Sequence, residues 1–287
     1  MRAIDCLLAD AIDYAGLYPP VALDMHTAVR NFLEYSHSAH RRTLGRFIVD
    51  LDRFPYLWDA AGDYVRGLRL SVIASPQADW DDLSRLADKG YAIEAIEIKG
   101  AETAEIGQIA GRIPDGITVY FEVPIAVPPA ALDSLLDATS VAGARVKIRT
   151  GGTTHDAFPS AYALARMLAE LAARRLMFKA TAGLHHPIRG RHALTYADAS
   201  PTAVMHGFVN LACAAALLHF GGNADEARRV LEEEWRGEWK VTPEAIVWEE
   251  YGWSGDELRE VRRQFFAGFG SCSFEEPVHE LEALRWL

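Results

Sequence analysis

The sequence predicts an α/β chain of the TIM (β/α)8-barrel type, irregular in its last third. Three observations predict it: short apolar, β-branched runs recur through residues 46–184, helical patterns lie between several of them, and successive runs are spaced by roughly 25–30 residues. Such spacing leaves room for one crossover helix between parallel strands. Its regularity, with a length of 287 residues, favours a barrel over a doubly wound sheet.

The expected strands are RFIVDL (46–51), LRLSVIA (68–74), AIEAIEIKG (92–100), ITVYFEVP (117–124), ARVKIRTGG (144–152) and LMFKATAGL (176–184). Between them DWDDLSRLADKG (79–90), PPAALDSLLDATSVAG (128–143) and SAYALARMLAELAARR (160–175) read as helices. Asp79 and Ser160 stand where N-caps belong, and Gly90 and Gly143 where helices stop. Beyond residue 184 the pattern changes. A long helix is expected from Ser200-Pro201 to Gly221-Gly222, with proline in its tolerated first turn, and further helices over 224–236 and 255–268. WKVTPEAIVWEE (239–250) is ambiguous, and any last strands are short. The expectation is one barrel domain over 1–287, with a mostly helical elaboration at about 190–268.

Composition narrows the function classes. Half of the residues are hydrophobic and 24% charged, which excludes a disordered or fibrous chain. A net charge of −11 argues against coating nucleic acid or an acidic membrane. Cys6, Cys213 and Cys272 lie too far apart for a disulfide framework or a CxxC site. The N-terminal stretch carries acids through its apolar part, unlike a signal peptide, and FVNLACAAALLHF (208–220) falls short of a bilayer span. A cytoplasmic protein with neither nucleic-acid nor membrane partners is expected. No GxGxxG, GxxxxGK[ST] or GxSxG motif occurs, so no cofactor is expected. Trp235, Trp239, Trp248, Trp253, Phe265, Phe266 and Phe269 read as core or as subunit interface, the latter fitting a homo-oligomer.

Of 29 basic residues only five are lysine, so a lysine in a special place asks for a reason. Barrel active sites gather at the C-terminal ends of the strands. Side chains alternate along a strand, so if Val146 and Ile148 face outward, Lys147 and Arg149 face the interior. The same parity turns Lys179 and Thr181 inward, and Glu97, Lys99 and Glu122 also fall near strand ends. An ion-pair layer is the plain explanation. Unlike arginine, however, a lysine amine can lose its proton and attack a carbonyl, and two inward lysines beside Arg149 would depress each other's pKa.

The pair VKIRTGG (146–152) and FKATAGL (178–184), preceded by FEVP with Glu122, resembles the two lysine strands of deoxyribose-phosphate aldolase-type class I aldolase barrels. The resemblance covers roughly residues 92–184. It implies that Lys147 forms a Schiff base, that Lys179 tunes it, and that an acid on the 92–100 strand, Glu97 or Glu94, moves protons. The chain departs from that pattern after residue 184, where HHPIRGRH (185–192) replaces the expected short helix and phosphate-binding strand.

Other residues could hold an anionic group on the substrate. GFGSCSF (268–274), with Ser271 and Ser273, is a candidate phosphate loop or an ordinary turn. Arg149, Thr150, Gly151, Thr181 and Arg189 could bind phosphate or carboxylate, and Arg191 adds to the local basic concentration. His185 could act as an acid or base, and His206 as a substrate donor. The leading expectation is therefore an aldolase-type lyase acting on a small anionic carbonyl metabolite, with no metal. The alternatives are a metal-assisted hydrolase or lyase built on His185 or His186, His206 and Glu122, and a barrel that only binds a metabolite.

Overall fold

Eight parallel strands close into a barrel in the computed structural model, which describes residues 1–287. The first part of the chain runs α1 (Ala3–Leu8), β1 (Ile12–Tyr14), α2 (Met25–His37), β2 (Leu44–Asp50), α3 (Phe54–Ala61), β3 (Leu70–Ala74) and α4 (Trp80–Asp88). It continues through β4 (Ile93–Ile98), α5 (Thr103–Ala110), β5 (Thr118–Glu122), α6 (Pro129–Val141), β6 (Arg145–Arg149), α7 (Ala161–Ala173) and β7 (Phe178–Thr181). Next come the hairpin β8 (Gly190–Ala193) and β9 (Thr202–Met205), then α8 (Phe208–His219) and α9 (Ala224–Glu232). An antiparallel sheet of β10 (Trp239–Val241), β11 (Ala245–Trp248) and β12 (Tyr251–Ser254) leads into α10 (Gly255–Gln264), β13 (Phe266–Ser271) and α11 (Glu275–Ala283).

Strands β1 to β7 neighbour one another in sequence order, and β13 closes the ring between β7 and β1. Closure is parallel, with Ile12 beside Phe269 and Asp13 beside Gly270. Strands packed on both faces should read as continuous apolar runs, and all five residues of β3 are buried. The helices begin as their caps dictate. The Asp79 carboxylate accepts the N–H groups of Asp81 and Asp82, and the Ser160 hydroxyl accepts that of Ala163.

The last third differs from the sequence reading in three places. The helix expected from Ser200-Pro201 is a strand followed by a shorter helix. Ala203 and Met205 are buried while Thr202 is exposed, a period of two, and the helix begins only after Gly207, which takes the extended N-cap position. Residues 239–250 form β10 and β11, whose Trp239 and Trp248 are both buried and face each other in register. The helix expected over 255–268 stops at Gln264, and Phe266–Ser271 is a barrel strand that lies on the supposed phosphate loop. Helix α8 is buried almost throughout, and no helix is long and apolar enough to cross a membrane.

Candidate active site

The barrel interior holds five charged side chains in contact. Lys179 on β7 donates to Asp13 Oδ2 at 2.5 Å and to Glu97 Oε1 at 2.6 Å. Lys147 on β6 has its Nζ 2.9 Å from Glu97 Oε2 and 3.0 Å from Glu122 Oε2. Glu97 on β4 thus bridges both lysines, and Ser71 on β3 donates to its Oε1 at 2.6 Å. Glu97, Lys147 and Lys179 are at most 2% exposed. Strand register explains the meeting, since Lys147 lies beside Lys179 across β6 and β7, and beside Glu122 across β5 and β6.

The two lysines differ in how they are held. Both bonds of Lys179 are aligned hydrogen bonds, and its Nζ also lies 5.5 Å from the centre of the Tyr120 ring. The contacts of Lys147 are off axis, so Glu97 Oε2 and Glu122 Oε2 are buried with no aligned donor. Lys147 also lines a cavity at the C-terminal ends of the strands, whereas Lys179 does not. The amine of Lys147 is the less constrained of the two.

Burial works to raise the Glu97 carboxyl, but Lys147 and Lys179 outweigh it and hold the group well below the usual carboxylate range. Burial likewise works to lower Lys179, and Asp13 and Glu97 overcome it, carrying the ammonium above its ordinary value. Mutual depression of the two lysines is therefore corrected for Lys179. Glu97 stands between the cations, and Asp13, which the sequence reading did not include, adds a further negative charge.

A cavity of about 350 Å³ opens over this cluster at the C-terminal ends of the strands. Its wall includes Glu97, Lys147, Thr181 and His185, with Arg149 and Lys99 at exposed strand ends. Arg149 has no hydrogen-bond or ion-pair partner, and Lys99 lies 3.8 Å from Asp50. The β8–β9 hairpin covers one side with His192, Leu194 and Tyr196. After β7 the chain turns sharply through Ala182 and Gly183, with φ of 65° and 73°. A side chain on Gly183 would also sit 2.6 Å from the Phe158 ring, so glycine is needed there for space as well as for φ.

Several expected binding residues serve the scaffold instead. Arg189 pairs with Glu234 at 3.1 Å and lies outside the cavity wall. The buried Thr150 hydroxyl donates to the Ala182 carbonyl at 2.8 Å, bracing the strained turn after β7. At Gly151 a Cβ would lie 2.4 Å from Phe158, so this glycine serves packing. His206 is buried with Nε2 2.8 Å from the Pro159 carbonyl; burial pushes its pKa down to about 4, and it stands outside the cavity. Ser273 accepts the Glu276 N–H at 3.1 Å, in the first turn of α11. Ser271 is buried, with Oγ 3.5 Å from His185 Nδ1.

The mouth contains groups that the sequence reading missed. His185 Nδ1 lies 3.1 Å from Glu276 Oε2, and Tyr196 donates to the same oxygen at 2.7 Å. His186 Nδ1 lies 2.6 Å from Glu280 Oε1, and the His192 ring stacks on His186 at 3.4 Å. His186, Glu276 and Glu280 could hold a metal ion, since their donor atoms lie within 4.8 Å of one another. That set shares only His186 with the expected one, because His206 and Glu122 are engaged elsewhere. The HHP run was visible in sequence; its acidic partners were not, because they arrive from α11.

No family model and no curated protein matches the chain. Among solved structures, it is similar to a tetrameric deoxyribose phosphate aldolase from Aeropyrum pernix, with 15% identity over 64% of this chain and 85% of that one, at a TM-score of 0.45. It is also similar to FabK from Thermotoga maritima, with 15% identity over 65% of this chain and 56% of that one, at a TM-score of 0.37.

Proposed function

We propose that the protein is an enzyme of class I aldolase type, a carbon–carbon lyase acting on a small carbonyl metabolite that bears an anionic group. One observation carries this reading: Lys147 is a buried amine on the cavity wall, close to two carboxylates but aligned with neither. The amine adds to the carbonyl carbon and the carbonyl oxygen leaves as water, giving an iminium that draws electrons from the neighbouring carbon–carbon bond. An iminium is a cation, as the ammonium was. Glu97 and Glu122 therefore face a positive charge before and after the adduct forms.

Glu122 is the freer acceptor for the proton that Lys147 must release, because Glu97 also accepts from Lys179 and Ser71. Lys179 is a positioning residue that fixes Glu97. Arg149, exposed and without a carboxylate partner, is the natural hold for the anionic group, with Lys99 beside it. Assembly into a homo-oligomer accords with the exposed aromatic side chains of Tyr56, Trp58, Tyr64 and Trp235.

Borohydride reduction with a panel of aldehydes and ketones tests the reading. A stable adduct should appear on the peptide containing Lys147 and disappear in Lys147→Met. Absence of any adduct across the panel would overturn it. Stoichiometric zinc or manganese in the purified protein would then favour metal chemistry at His186, Glu276 and Glu280.

A further inference from the structure

Cys272 follows directly on β13 and is 5% exposed, yet it belongs to the cavity wall. Its Sγ lies 3.8 Å from Nε2 of His185, and the opposite nitrogen of the same ring, Nδ1, lies 3.1 Å from Glu276 Oε2. Glu276 is itself held by the Tyr196 hydroxyl at 2.7 Å and by its place in the first turn of α11, where the helix dipole favours a carboxylate. A nucleophile, a base at one ring nitrogen and a carboxylate orienting the other form the constellation that activates a weak nucleophile. Nothing in the lysine chemistry proposed above requires it.

We propose that Cys272, His185 and Glu276 form a second nucleophilic centre on the same cavity, a thiol that adds reversibly to an aldehyde carbonyl. In the step, Cys272, whose proton rests on His185 Nε2, forms a bond from Sγ to the carbonyl carbon. The C=O electron pair moves to oxygen, which takes that proton back, leaving a neutral hemithioacetal with no other reactant consumed. Cys272 is the nucleophile and His185 the base; Glu276 and Tyr196 are positioning residues.

The other two cysteines provide an internal comparison. Cys213 is fully buried in α8, and Cys6 is buried beside Arg259, with no histidine at either. The aldehyde substrate rests on the preceding reading, whereas the activated thiol rests on its own geometry.

Iodoacetamide labelling of the intact protein, followed by peptide mass, separates the two. Cys272 should be alkylated at least tenfold faster than Cys6 or Cys213. That advantage should fall at least tenfold in His185→Gln and less in Glu276→Gln, and millimolar glycolaldehyde should protect the wild-type site. Equal rates at the three cysteines, or an unchanged Cys272 rate in a folded Glu276→Gln and His185→Gln pair, would overturn the thiol. Fast labelling without aldehyde protection would overturn the substrate assignment. If His185→Gln does not fold, Glu276→Gln and protection of the wild type decide. Labelling needs no adduct on Lys147, so its failure leaves the amine reading standing, and failure of borohydride trapping leaves the thiol standing.

Discussion

Glu97→Gln keeps the shape of the side chain and removes the charge shared by two buried ammoniums. In the folded protein Glu97 Oε1 accepts from Ser71 and Lys179, each at 2.6 Å, and Oε2 lies 2.9 Å from Lys147. An amide with its oxygen at the Oε1 position keeps the Ser71 and Lys179 contacts but turns its NH2 donor toward the Lys147 ammonium. Removing one member of a buried ion pair costs about 3–5 kcal/mol. Lys179 keeps Asp13 and Lys147 keeps Glu122, so a loss within that range, rather than twice it, is expected.

Urea unfolding measures it as a lower midpoint with an unchanged slope. The double variant Glu97→Gln/Lys179→Met should not recover the loss, since it also takes the ammonium away from buried Asp13. The sign with pH follows from a depressed native pKa. The contribution of Glu97 is complete above the unfolded carboxylate pKa and is lost as pH falls through the lower native value. The gap between wild type and variant should therefore be flat from about pH 6 to 8 and narrow only below about pH 4. A loss under about 1 kcal/mol at pH 7 would refute the claim that Glu97 is the charge on which the cluster depends.

Thr150→Val removes the donor to the Ala182 carbonyl and should cost about 1–3 kcal/mol in chemical unfolding. Gly183→Ala should lower stability by about 2–5 kcal/mol, from the left-handed φ and the clash with Phe158 together, and Phe158→Ala in the same chain should relieve the steric share. His185 has a native pKa raised to about 10 despite burial, so its charged pairing stabilises the fold fully below the unfolded value of about 6.5 and is lost as pH rises through 10. His185→Gln should accordingly lower the melting temperature more at pH 6 than at pH 10.5, and an equal loss at both would show that the ring is neutral in the native state.

Strand parity carried the sequence reading a long way. Runs such as ARVKIRTGG alternate so strictly that the inward positions of Lys147 and Arg149 follow from the pleat alone. The strands that escaped notice lack that signal. IDY in β1 is three residues long, and FAGFGS in β13 carries two glycines and no β-branched residue, directly after a helix whose periodicity masks where it ends. Those two strands close the barrel, so what they supply was also hidden: Asp13 for Lys179, and Cys272 for His185. The balance of charge at the lysines failed for the same reason. Sequence showed two cations on adjacent strands, but Asp13 comes from β1, which reaches β7 only through β13, and Glu97 sits between the cations only once the strands register. Thr150 and Arg189 had the right residue types near the right strand ends, and only the turn after β7 and the Glu234 contact decide where they point.

The seam between β1 and β13 has a consequence for how the protein comes into being. Pairing residue 12 with residue 269 joins strands far apart in sequence, so the ring cannot close until β13 has been made. Until then Lys179 lacks Asp13, and β7 has an open edge along its unpaired side. The charged interior is thus assembled last, and a chain cut short before residue 266 leaves a sheet with two raw edges and a buried ammonium missing one of its counter-ions.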